Sequence, residues 1–234
     1  MQVKASAEGG IVISNKEKTA WKALAEAKVG SATLYPTSTS DTTNWYHNKS
    51  NDADNYTGVE DYQKLTIKYS DTDDGVGYVD KNDNSSFDSN IDESYFLCNT
   101  FYIKSSGEAL TSKLYINKVT VTSQSTLIPV DTSLRVAIVV NDKNFIYAPV
   151  VAEGTSPSLS YNVNGSSTET TALASTTKNT DTSVSTIPAY SGTPITAKVY
   201  IYFEGEDENC KSSNIAGLTV DTLSVEVQFG TTTI

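Results

Sequence analysis

Apolar residues occur in short clusters parted by polar stretches, and several of the clusters alternate. In 64–70 (KLTIKYS), Leu65, Ile67 and Tyr69 are separated by polar residues. In 218–229 (LTVDTLSVEVQF), Leu223, Val225, Val227 and Phe229 share one face at period two, the spacing of strands with one buried side. Runs at 10–14, 31–35, 94–105, 113–123, 133–140, 144–152 and 195–205 have the length and composition of further strands. A loop containing Gly107 joins 94–105 to 113–123, and the pair 133–140 and 144–152 predicts a hairpin across Asn141-Asp142-Lys143. About nine or ten strands at this spacing predict an all-β fold, a jelly-roll-like β-sandwich.

One segment has a different period. Trp21, Leu24, Ala25 and Lys28 recur at helical spacing, Asn15 stands where a cap belongs, and Gly30 follows. With Ala20, Ala23, Ala25 and Ala27 raising the propensity, the pattern predicts one short helix near the N-terminus. A further helical turn is expected over 210–215, before Gly217. Two regions are poor in apolar residues, at about 36–63 and 160–186. The strands on either side of the second are too few to close a core alone. Residues 1–234 are therefore expected to form a single domain with two polar excursions, and no internal repeat stands out.

Composition narrows the function classes. The apolar fraction is 38%, below the globular average of roughly 45–50% yet clustered enough to build a core. Net charge is −11, and Arg135 is the sole arginine among 17 basic residues. Recognition of a phosphate backbone needs clustered Lys and Arg, so nucleic acid is not an expected partner, and an anionic membrane surface is disfavoured likewise. No apolar run reaches the roughly 18 residues of a membrane span. Met1 followed directly by QVKASAEGG reads as an initiator placed before a mature secreted chain, without a basic-plus-apolar leader. One His, one Met and two Cys suit an extracellular or cell-surface location.

Candidate chemistry is thin. His47, in WYHNKSND, is the only histidine, and no nucleophile-elbow pattern accompanies it. No catalytic residue is assigned and the chain is not expected to be an enzyme. Glu204, Glu206 and Asp207 crowd one strand end instead of flanking a cleft. The stretch 71–93 is the best metal candidate: Asp71, Asp73, Asp74, Asp80, Asn82 and Asn84 offer the oxygens that calcium prefers. It does not follow an EF-hand frame, since Gly75 comes one place early counting from Asp71. Counting from Asp80, Ser85 and Ile91 occupy the glycine and glutamate positions. A solvated acidic loop is the plain alternative. Cys98 and Cys210 lack zinc spacing and are candidates for a disulfide, with a buried thiol at Cys98 as the alternative. Trp45, Tyr46 and Tyr56 would suit sugar stacking or, alternatively, plug an open end of the fold.

The segments SLRVAIVV (133–140), AKVYIYFEGEDENC (197–210) and LSVEVQF (223–229) together resemble a class of secreted Gram-positive proteins. In that class an LRVA-type strand precedes one ending in an EG-x-D-x-x-C-like turn and a terminal alternating strand. The segments 33–46 and 95–111 fit the same layout. More remotely the chain resembles the TasA/camelysin biofilm-fibre subunits. That resemblance implies a jelly-roll-like sandwich whose subunits polymerise by completing one another's sheets, with no catalytic residues to carry over. The chain departs from it in lacking an N-terminal processing motif and in carrying the tract 160–186.

The expected function is a structural subunit of an extracellular filament or surface layer, self-associating into a homopolymer by strand donation. Residues 2–14 are the candidate donor, with Ile11, Val12 and Ile13 at its apolar end. The alternatives are that these residues form an ordinary internal strand, and that the protein is a monomeric adhesive or carbohydrate-binding surface module on a glycan or host surface.

Overall fold

A computed structural model describes residues 2–28, 33–34, 37–48, 62–64, 75–77, 93–123, 134–149, 159–161, 167–169, 171–173, 180–204, 218–219 and 223–233. The strands are β1 (Gln2–Ala7), β2 (Ile11–Asn15), β3 (Leu24–Lys28), β4 (Thr33–Leu34), β5 (Tyr46–Asn48), β6 (Tyr62–Lys64), β7 (Gly75–Gly77), β8 (Glu93–Ser94), β9 (Phe96–Ser105) and β10 (Ser112–Ser123). They continue with β11 (Leu134–Val140), β12 (Lys143–Pro149), β13 (Leu159–Tyr161), β14 (Ser167–Glu169), β15 (Thr171–Leu173), β16 (Thr180–Asp181), β17 (Ile195–Phe203), β18 (Leu218–Thr219) and β19 (Leu223–Thr233). The fold is all-β, and among the described residues there is no helix. Among the described residues no helix is long and apolar enough to cross a membrane.

Two sheets dominate. The first has five strands in the order β16-β10-β19-β1-β3, and the second runs β15-β12-β11-β17-β9-β2 with β7 also pairing β9. Alternation explains which faces meet. Leu223, Val225, Val227 and Phe229 of β19 are buried together with Leu134, Val136, Ile138 and Val140 of β11 and Val199, Ile201 and Phe203 of β17 in one apolar cluster shared by both sheets. The expected hairpin forms between β11 and β12. Its turn residues Asn141 and Asp142 have φ of 51° and 59°, a left-handed pair that Asn and Asp tolerate and that matches the strands' twist.

The expected N-terminal helix is a strand instead. Leu24–Lys28 pairs antiparallel with β1, setting Ala25 opposite Ala5 and Ala27 opposite Val3. Ala25 and Ala27 are buried while Leu24 is 44% exposed, a period of two, not 3.6. Alanine's helix preference amounts to tenths of a kcal/mol per residue, and a helix this short is marginal alone. Pairing with β1 satisfies the backbone and buries both alanines. Asn15 caps no helix: its Oδ1 accepts from the Glu17 backbone N–H at 3.2 Å and its Nδ2 donates to the Glu26 carbonyl at 3.0 Å, turning the chain between β2 and β3. The turn expected over 210–215 lies outside the described residues.

The second sheet has a second apolar cluster on its other face, made of Trp45, Tyr95, Phe96, Cys98, Ala137, Ile146, Tyr200 and Tyr202. Its cover comes from the polar stretch that precedes β5. Trp45 is fully buried, stacked on Phe96 with ring centroids 4.1 Å apart and edge-on to Tyr202 at 5.0 Å. Side chains satisfy this cover's own backbone. Thr39 Oγ1 accepts from the Thr42 N–H at 2.9 Å, Asp41 Oδ1 accepts from the Thr43 and Asn44 N–H groups at 2.9 and 2.7 Å, and the Trp45 indole donates to the Thr42 carbonyl at 3.0 Å. A polar sequence is thereby buried at low cost.

Candidate functional site

The first strand has partners on both of its edges. β1 lies inside the first sheet, parallel to β19 on one side and antiparallel to β3 on the other. Val3 stands between Val225 and Ala27, and Ala5 between Val227 and Ala25. Val3 and Ala5 are fully buried while Gln2, Lys4 and Ser6 are half-buried. The core-facing side chains are small, so β1 is held chiefly by backbone ladders on both edges. Its outer face adds a hydrogen bond from Ser6 Oγ to Glu226 Oε1 at 3.1 Å and a Lys4–Glu26 ion pair at 3.5 Å.

Glu8, Gly9 and Gly10 carry the chain from β1 to β2 in the other sheet. Gly9 and Gly10 have φ of +77° and +81°, a region that glycine enters without steric cost. The Glu8 N–H donates to the Phe229 carbonyl at 3.1 Å, and Ser106 donates to the Gly10 carbonyl through both N–H (2.9 Å) and Oγ (3.0 Å). Thr231 Oγ1 donates to the Gly9 carbonyl at 2.7 Å, and Asn117 Nδ2 donates to Glu8 Oε1 at 2.7 Å. Asn117 reaches Glu8 because β10 bulges there: its register against β19 shifts between Ile116 and Lys118. The bulge has a signal in the sequence, for the apolar phase in 113–123 changes from Leu114 and Ile116 to Val119 and Val121, as an inserted residue requires.

Ile11, Val12 and Ile13 lie in β2, paired with Ser105, Lys104 and Ile103 of β9. Ile11 and Ile13 face the common core. On the other face Val12 and Ser14 run beside a cation–aromatic group. Lys104 Nζ lies 3.7 Å from the Trp21 ring centroid and 4.0 Å from that of Tyr190, and Lys18 Nζ lies 3.9 Å from Tyr102.

The remaining candidates are dispersed. Asp71, Asp73, Asp74, Asp80, Asn82 and Asn84 lie outside the described residues, as do Cys210, Glu206, Asp207 and Tyr56. Cys98 is buried in the aromatic cluster, and its pairing with Cys210 falls outside the described residues. His47 sits in β5 opposite Gln63. Glu204 is fully buried and accepts a hydrogen bond from Ser38 Oγ. Trp45 is likewise buried and offers no stacking platform. Among the described residues no three His, Cys, Asp or Glu side chains converge into a metal-binding set.

Comparison with protein-family models, with curated proteins and with solved structures returns no match to this chain.

Proposed function

We propose that this protein is a structural subunit of an extracellular filament or surface layer, a jelly-roll-like β-sandwich that joins its neighbours by strand donation. The exchanged piece lies within residues 2–14 and centres on β1 in the first sheet, with Ile11–Ile13 following it. One observation supports this reading: β1, a strand with small buried side chains, fills a slot between β19 and β3 and is followed by two left-handed glycines. Main-chain hydrogen bonds lost when such a strand leaves its own slot are regained in a neighbour's, so exchange is nearly neutral in contacts and propagates head to tail. The net charge of −11 keeps such subunits soluble before they assemble.

Lys4 and Glu226 are cross-strand partners of β1 and β19. A concentrated mixture of full-length Lys4→Cys chains with full-length Glu226→Cys chains is expected to yield a disulfide-linked heterodimer, together with fibres under negative stain. Strictly monomeric protein with no such crosslink would sink the filament reading. The monomeric adhesive or carbohydrate-binding module would then lead, favoured by the 48% exposed Tyr190 beside Trp21.

A further inference from the structure

The alternation of β1 does not by itself specify register. Val3, Ala5 and Ala7 present nearly the same small apolar profile after a slip of two residues, and register is weakly specified where side chains differ little. Beyond the Ser6–Glu226 and Lys4–Glu26 contacts on its outer face, what distinguishes one register from the next lies just past the strand, at Glu8 and Gly9.

We infer that Asn117 and Thr231 form a register lock that reads the dipeptide Glu8-Gly9 of whichever strand fills the slot, the chain's own or that of a second copy. Asn117 donates to the carboxylate at position 8 and Thr231 to the carbonyl at position 9, at 2.7 Å each. The second contact demands glycine: a Cβ on Gly9 would come within 2.4 Å of Thr231 Oγ1. Space for the first is kept by Gly230, where a Cβ would lie 2.0 Å from Asn117 Nδ2. Asn117 is itself largely buried at the β10 bulge, so its amide is aimed, not free to wander.

Sliding the strand by two residues in one direction brings Ser6 and Ala7 to the lock. That slip removes the carboxylate and sets a methyl group against Thr231. Sliding it the other way brings Gly10 and Ile11, which again lack the carboxylate and add a branched side chain where only glycine fits. Both slips leave the Asn117 amide without its charged acceptor, a bond of the stronger class. The lock therefore supplies the discrimination that the small side chains of β1 do not. Its role between chains rests on the strand-exchange reading; its role within one chain does not.

Disulfide trapping in full-length chains separates the two. Each chain carries Glu226→Cys with a second cysteine at Gln2, Lys4 or Ser6, and closure within the monomer is followed by peptide mapping. With the lock intact, the Lys4→Cys chain is expected to close alone. Adding Asn117→Ala and Thr231→Ala is expected to raise closure at Gln2→Cys or Ser6→Cys by about tenfold or more, the effect of losing two hydrogen bonds of which one is to a carboxylate. Glu8→Ala, a change at an exposed residue, removes the same bond from the other side and reports the same slippage if the double variant fails to fold. Closure confined to Lys4→Cys in every lock variant would overturn the lock. Slippage within monomers, with no crosslink between chains, would uphold the lock and count against the filament.

Discussion

The strands β1 and β3 share the common core with β9, β11 and β17, yet the two groups contribute to it on unequal terms. The pair β1 and β3 gives the core Val3, Ala5, Ala25 and Ala27, whereas the other three strands give it Leu97, Phe101, Ile103, Leu134, Ile138, Ile201 and Phe203 among others. The latter strands are covered on their second face too, where Phe96, Tyr200 and Tyr202 lie under Trp45. For β1 the second face is Gln2, Lys4 and Ser6, half open to water. Buried apolar area is what holds β9, β11 and β17, at roughly 25 cal/mol per Å². Backbone hydrogen bonds hold β1, and it is those that the proposed exchange would trade with a neighbouring chain. A strand can thus sit inside a sheet and still be held by little side-chain packing.

Four outcomes would sharpen or break that contrast. Trp45→Ala should be the most damaging, costing about 3–5 kcal/mol in denaturant unfolding through a cavity on the second face; a loss below about 1 kcal/mol would show the cover to be dispensable. Ile138→Ala should cost about 2–5 kcal/mol and lower the global midpoint, while Val3→Ala should cost about 1–2 kcal/mol. The second loss should appear as faster amide exchange confined to β1 and β3, since weakly packed segments open locally. Equal global effects would erase the distinction between the two groups.

The third outcome concerns Asp41 in the Trp45 cover. Burial pushes its carboxyl upward, but hydrogen bonds from Asn44 and Thr43 and from the Thr39 hydroxyl outweigh that and hold it below its ordinary 3.8. A depressed carboxyl stabilises the fold above that ordinary value and loses the contribution as pH falls through the lowered one. Tryptophan fluorescence should therefore be flat from neutral pH to about 5 and change below about 4. Asp41→Asn should abolish that acid step at a cost, discounted for solvent screening, of about 1 kcal/mol near neutrality. The smallest effect belongs to the half-exposed Lys4–Glu26 pair: Lys4→Ala should shift stability by less than about 0.5 kcal/mol, measured by thermal melts in low and high salt.

Much of the second sheet is legible in the sequence, because its strands are rich in branched and aromatic residues and end at recognisable turns. The β11–β12 hairpin follows from two adjacent residues suited to left-handed φ. The candidate site is harder to read. Residues 2–7 are QVKASA, in which two alanines stand where strands more often carry valine or isoleucine, so β1 passes unnoticed beside the stronger GIVIS. Polarity misleads in the opposite way before β5: its threonines and Asp41 turn inward to satisfy backbone groups, and the one tryptophan they carry is sealed beneath them.

By itself the sequence determined the all-β class, the alternating inner face of β19 and the hairpin turn. These are local matters of side-chain period and backbone preference, decided within a few residues. The tertiary structure alone decided that the alanine-rich segment at Leu24–Lys28 is a strand, because its preference for helix is weaker than what pairing with β1 provides. It alone decided that β1 lies beside β19, more than two hundred residues away along the chain. It alone brought Asn117 to Glu8 across 109 positions. Pairings of that kind depend on which backbone edges remain unfilled once the larger side chains have packed, and that is a property of the whole fold.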